Sequence, residues 1–205
     1  MHAYMKGVAP YLGIATPERR KALRPLFKSW GSPNETELGD TARLLWAQPE
    51  REYHYATCDL IAKFENVAGA DFLDDHVEFL LITKPWWDTV DSLGSAIVTP
   101  LVARNLQLVE TMWTWLRGDN MWLTRAAIQH QRGLKQQTDV ARLMAMCDER
   151  STDREFFIAK AVGWALRDLA HIDGTAAQTF LADHPALPPV AKREAVRGLT
   201  AVGAM

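Results

Sequence analysis

Leucine recurs every 35 residues in this 205-residue chain, at Leu38, Leu73, Leu108 and Leu143. Two further series keep the same frame. One runs Pro17, Glu52, Trp87, Trp122, Phe157; the other runs Arg20, Tyr55, Val90, Arg125, Lys160. A period of this length is that of one helix pair, and a lone pair cannot bury its apolar side. Few folds remain open. The period predicts an all-α superhelical solenoid of antiparallel helix pairs, with a continuous core and one concave surface for a ligand. The frame fades before residue 16 and after residue 160, where capping repeats belong.

Helical spacing runs through the whole chain, and strand signals are almost absent. In "REYHYATCDLIAKFE" the apolar or small residues Tyr53, Ala56, Thr57, Leu60, Ile61 and Phe64 make one buried helix face. Thr16 before Pro17, and Asn34 three residues before Glu37, read as helix starts. About eleven helices follow, at roughly 16–30, 35–47, 50–65, 70–82, 86–103, 105–117, 120–136, 139–150, 155–171, 175–183 and 189–201, with a short one near the N-terminus. No Gly-, Pro- or Ser-rich linker interrupts them, so residues 1–205 are expected to form a single domain.

Composition narrows function. The formal charge of −2 is not that of a bulk polyanion binder, so any nucleic-acid surface must gather its cations on one face. Cys58 and Cys147 are the two cysteines, each within an apolar helical pattern and without metal spacing; buried free thiols in a reducing cytosol are expected. No segment reaches the apolar length of a membrane span, and the N-terminus lacks a signal pattern. A soluble cytoplasmic protein is expected. The six histidines show no metal-ligand spacing, and no serine-hydrolase, phosphate-loop or dinucleotide motif occurs.

One stretch breaks the frame. In "TKPWWDTVDSL", Asp88 stands where other repeats carry Tyr53, Leu123 and Ile158, and Asp91 where they carry Ala56, Ala126 and Ala161. Two carboxylates thus replace apolar or small residues beside Trp86 and Trp87, and such local violations concentrate at functional sites. A structural reading stands beside this one: Asp88 as a helix cap, the tryptophans as packing between repeats, and Asp91 paired with an arginine. If equivalent helices line one face, Trp87, Asp91, Arg125 and Trp164 converge on the concave surface. Such a set suits a substrate with a phosphate for the arginine, cationic character for the indoles, and developing positive charge for the carboxylate. Singly, Trp164 also suits a core and Arg125 an ion pair. Arg19, Arg20, Lys84, Arg132, Lys160, Arg167, Lys192, Arg193 and Arg197 recur near helix starts and are candidates for a phosphate track, or for a solvated face.

The sequence resembles the AlkD family of bacterial DNA alkylation-repair glycosylases, built from HEAT-like helical repeats. The resemblance runs through "YLGIATPERR", "QPEREYHYATCDL", "LITKPWWDTVDSL", "RGDNMWLTRAAI", "REFFIAKAVGWALRDLA" and "AKREAV". It implies a C-shaped solenoid holding duplex DNA on its concave face. It also implies hydrolytic excision of N7-alkylguanine and N3-alkyladenine in base excision repair, leaving an abasic site, with no metal or organic cofactor. By the same resemblance Trp87 and Asp91 match the catalytic Trp and Asp, Trp164 a second lesion-site Trp, Arg125 an active-site Arg, and Tyr4 a tyrosine near the DNA. The lesion is implied to stay within the duplex, so that bulky adducts are tolerated. The resemblance also implies a further helical stretch ahead of the Tyr4 position, almost directly before which Met1 stands here; the expectation is either a reduced DNA-holding surface or a true start that lies upstream. A monomer is expected. A non-catalytic DNA-structure binder of the same fold and a protein-binding scaffold are the alternatives.

Overall fold

The computed structural model describes residues 4–204, and among these the regular structure is entirely helical. The chain divides into two compact units, Met1–Asn105 and Leu106–Met205. In each, helices pack both on their chain neighbours and on the next helix but one, as stacked helix pairs of the HEAT-like kind should.

The first unit begins with a turn and an extended segment; the short helix expected there is not formed over residues 4–15. Helices α1 (Thr16–Trp30), α2 (Glu35–Ala47) and α3 (Arg51–Phe64) follow. The α1 start differs by one residue from expectation, with Ala15 at the cap and the Glu18 carboxylate accepting from its N–H. At α2 the expected box is present in full: Glu37 donates its N–H to Asn34 Oδ1 at 2.9 Å, and Asn34 donates its own to Glu37 Oε2 at 2.9 Å. Leu38, Trp46, Leu60, Ile61 and Phe72 are among the buried core.

A π-turn at Leu73–Val77 leads into α4 (Glu78–Ile82). Then α5 (Trp87–Leu93), a second π-turn (Gly94–Val98) and α6 (Thr99–Arg104) run on as one helix. The second π-turn has a local cause in Pro100, just inside α6. A proline ring collides with the carbonyl four residues earlier, and widening the preceding turn relieves the clash.

The buried guanidinium of Arg51, at the start of α3, organises one end of this unit. It donates to Asp88 Oδ1 at 2.5 Å, to Thr89 Oγ1 at 2.8 Å and to the Lys84 carbonyl at 2.9 Å. Glu52 beside it accepts the backbone N–H groups of Leu12, Gly13 and Ile14 at 2.9 to 3.2 Å, while the Arg51 N–H binds the Pro10 carbonyl. These bonds clip the N-terminal segment to α3. Gly13, at φ 82°, makes the left-handed bend that turns three successive amides toward one carboxylate.

The second unit holds α7 (Val109–Arg117), α8 (Met121–Gln129), α9 (Val140–Glu149), α10 (Phe156–Ile172), α11 (Gly174–Asp183) and α12 (Pro189–Ala201). The helix expected over 120–136 stops at Gln129, and residues 130–138 form turns through Gly133 at φ 86° and Lys135 at φ 52°. Asn120, Asp139 and Asp173 cap α8, α9 and α11 with their side chains. Helix α10 is the hub, packed against α8, α9, α11 and α12. Its approach to α12 is close enough to require glycine on both sides. A Cβ on Gly163 would lie 2.7 Å from Ala191 Cα, and one on Gly198 would lie 2.8 Å from the Arg167 carbonyl. Across repeats the 35-residue frame reappears as contact, since the Trp122 and Phe157 rings pack at 4.8 Å. Leu38, Leu73, Leu108 and Leu143 are all buried.

Candidate active site

The segment 83–87 enters α5 through an unusual backbone. Lys84 is left-handed at φ 51°, and its ammonium donates to the carbonyls of Trp46, Ala47 and Gln48 at 2.9 to 3.0 Å. Three donors meeting the last carbonyls of α2 account for every N–H the ammonium has. Trp86, fully extended, occupies the cap position without a side-chain cap, and Thr89 Oγ1 donates to its carbonyl. Trp87 then opens the helix and places Asp91 one turn further along the same side. Both are half-buried. The Tyr4 ring meets Trp87 edge-on, centroids 6.3 Å apart and planes at 88°.

The two carboxylates of this stretch have different surroundings. Asp88 caps nothing. It accepts from Arg51 through both oxygens and from the Tyr55 hydroxyl at 2.6 Å. Burial, and then the bond to Asp88, pushes the Tyr55 phenol well above its ordinary range, so Tyr55 stays protonated as a donor. Asp88 is therefore part of the scaffold under the first turn of α5.

In the second unit the candidate residues gather on Trp164, in the middle of α10. The Arg125 guanidinium lies 5.2 Å from its ring centre, Arg132 4.6 Å and Lys160 Nζ 5.7 Å. Three cations around one electron-rich ring make a basic, aromatic locality. Arg125 is 1% exposed and donates to the Phe157 carbonyl at 2.7 Å, so its position is fixed by α10. Lys160 reaches Glu194 Oε1 at 2.6 Å, and Arg167 and Arg197 reach the same carboxylate. Burial would raise Glu194, but Lys160 and its neighbouring arginines hold it below the usual carboxylate range.

The remaining basic residues divide. Arg19 and Arg20 both bind Asp59 of α3, at 3.0 and 2.9 Å. Lys192 and Arg193, in the first turns of α12, are exposed. Arg51 and Tyr55 were not singled out as functional by sequence, because "PEREYHY" has the apolar spacing of an ordinary core helix, nor was Glu194 in "AKREAV". The only available signal was a charged residue at a helix start that the packing later buries. Both cysteines are buried free thiols, and burial raises each to about 12. Among the described residues no cluster of three or more His, Cys, Asp or Glu side chains could hold a metal ion, and no helix is long and apolar enough to cross a membrane.

The family model for DNA alkylation repair enzymes matches residues 1–199. The chain belongs to that family. Its biological role thus lies in the repair of alkylated DNA, with DNA as the substrate. Among solved structures it is similar to a protein described as a predicted DNA alkylation repair enzyme from Enterococcus faecalis, with a TM-score of 0.83 and 27% identity over 96% of this chain and 92% of that one. No curated protein matches the sequence. In the Trp-Trp-Asp segment and around Trp164, aromatic and charged side chains lie side by side.

Proposed function

We propose that this family member is a DNA glycosylase that hydrolyses the N-glycosidic bond of cationic alkylpurines, N7-alkylguanine and N3-alkyladenine, in duplex DNA. The observation that carries this reading is an indole and a carboxylate set together on α5, where Asp91 stands one turn from Trp87 on the same side and the Arg51, Asp88 and Tyr55 bonds hold the first turn beneath them.

The chemistry asks little of a general acid. An alkylated purine already carries positive charge, and cleavage of the bond to C1′ returns the bonding electrons to the ring and neutralises it. The deoxyribose takes on oxocarbenium character at that moment. Asp91 stabilises this charge and orients the water whose oxygen bonds to C1′, and the face of Trp87 adds a quadrupolar contribution. Tyr4, set edge-on against Trp87, holds the indole in place and offers its hydroxyl toward DNA. Arg125, Lys160 and Arg132 give Trp164 a basic surround suited to a deoxyribose with its flanking phosphates. Arg167, Lys192 and Arg193 extend the phosphate track, with Arg19 and Arg20 as a secondary pair neutralised in part by Asp59. Lys84, with its donors given to α2, serves by shaping the entry to α5. The protein acts as a monomer in the cytoplasm.

The test is release of free base from duplex DNA containing N7-methylguanine, by the wild type and by Asp91→Asn. The expected result is release by the wild type and a loss of about a hundredfold or more in the variant, with DNA binding retained. DNA binding without base release by the wild type would replace this reading with that of a non-catalytic DNA binder. Equal rates would take the role from Asp91.

A further inference from the structure

The second unit contains a cavity of about 380 Å³ between the end of α8, the 130–138 turns and α10. The volume is at the lower end of the range for small-ligand sites. Ile128, Leu143 and Ile172 give it an apolar lining, to which Trp164 adds an aromatic side chain. The polar groups that line it are unevenly matched. Arg132 and Lys135 bring two cations and Asp168 the one carboxylate, while His171 and neutral side chains such as Gln129 and Thr138 complete the polar lining.

Asp168 is the group that needs explaining. It is half-buried, yet among the described residues it accepts no hydrogen bond and forms no ion pair within contact distance. Burial raises its carboxyl above the ordinary range, against the longer-range pull of Arg132, Arg167 and His171. A half-buried carboxylate with no protein donor within reach is left to water in the cavity, and a ligand that supplies paired donors can take that water's place. The turn beside it carries a second anomaly. Lys135 is held at φ 52°, a left-handed conformation costly for a lysine, and such conformations collect at ligand-binding turns.

The chemistry of the occupant follows from the charges. A cationic ligand would suit Asp168 but meet Arg132 and Lys135. An anion alone would suit those two and leave Asp168 unsatisfied. The set calls for neutral, adjacent N–H donors facing Asp168, a flat body against the aromatic side chain, and an anionic group within reach of Lys135. A guanine nucleotide has all three. Its N1–H and exocyclic N2–H lie side by side and match two carboxylate oxygens, whereas adenine would turn the N1 lone pair toward the same carboxylate. The Arg132 guanidinium, 4.6 Å from the Trp164 ring centre, offers the base a planar cation on which to stack.

The geometry points to a guanine-nucleotide site in this cavity, with Asp168 reading the base edge, Arg132 and Trp164 supporting its face, and Lys135 binding its phosphate. The site lies within the second unit alone and shares Arg132 and Trp164 with the proposed DNA surface, but nucleotide binding is read without base release, so either reading can fail without the other. The nucleotide has two possible sources, a free guanosine monophosphate or an unpaired guanine in a DNA strand.

Isothermal titration of the full chain with guanosine 5′-monophosphate, adenosine 5′-monophosphate and guanosine tests the assignment. The guanine nucleotide should bind at least tenfold more tightly than the adenine nucleotide. Asp168→Asn should remove that preference with an unchanged melting temperature, and Lys135→Gln should weaken the nucleotide but not the nucleoside. A thymine oligonucleotide containing one guanine, used as competitor, separates the sources. Displacement of the mononucleotide identifies strand guanine as a ligand, and failure to displace it identifies the free nucleotide. No binding at millimolar guanosine monophosphate, equal binding of both nucleotides, or an unaltered preference in Asp168→Asn would overturn the site.

Discussion

Arg51 on α3 and Asp88 on α5 meet at 2.5 Å with side chains only 1% and 11% exposed, which makes one ion pair the joint between successive repeats in the first unit. Neither partner can be removed alone without leaving the other charged and buried. Asp88→Asn or Arg51→Met should each cost about 3–5 kcal/mol, read as a shift in the urea unfolding midpoint. The double replacement Arg51→Met with Asp88→Leu should recover much of the loss. A single variant within about 0.5 kcal/mol of wild type would show that the pair contributes nothing to stability.

The three amides on Glu52 give a local prediction. Glu52→Gln loses charge assistance and one acceptor oxygen for Leu12, Gly13 and Ile14. Hydrogen exchange at those amides should accelerate by about tenfold or more while the amides of α3 keep their protection. Uniform acceleration across the unit would instead indicate global destabilisation.

Close approach of α10 to α12 predicts a steric penalty at two positions. Gly163→Ala and Gly198→Ala place a methyl carbon against Ala191 and the Arg167 backbone, where the obstacle is main chain and cannot rotate away. Each should destabilise by about 1–3 kcal/mol, despite the higher helix propensity of alanine. Stabilisation in thermal melts would mean that the helices separate freely.

Two buried histidines set a pH dependence. Burial, and then Arg51, lowers His54 to about 4, and burial lowers His130 to about 4, both from an ordinary 6.5. Unfolding therefore takes up protons between these values. The stability from keeping the rings neutral is complete above pH 6.5 and is lost as the pH falls toward 4. Melting temperature should drop across that window, and His130→Gln should flatten the drop. A melting temperature flat from pH 7 to 4.5 in the wild type would contradict the assignment.

What the sequence made legible was whatever repeats or caps. The leucines at 38, 73, 108 and 143 share a frame because each fills the same layer of a stacked pair, and all four are buried. Asn34 and Glu37 act within one turn, so their spacing alone predicts their bonds. The early stop of α8 was hidden because 130–136 keeps helical spacing, while Gly133 and Lys135 take left-handed conformations that only the tertiary setting selects. The expected N-terminal helix gives way to a segment held by Glu52, a contact nearly forty residues away in sequence. Asp88 and Asp91 stood out because they break a frame that Trp87 beside them keeps. Arg51 and Asp168 keep an ordinary helical pattern, and what sets them apart is a long-range partner in one case and a missing partner in the other.

The π-turn at Gly94–Val98 gives the helix that carries Trp87 and Asp91 a rotational offset. One extra residue in a turn shifts the angular phase of everything before it by about 100° relative to an unbroken α-helix. Thr99–Arg104 fixes its own orientation through buried Leu101 and Val102, so the direction in which Trp87 and Asp91 face depends on that one surplus residue. Val90 and Leu93 on the same segment are buried as well, so that one surplus residue sets the aim of Trp87 and Asp91 and the burial of the opposite face together.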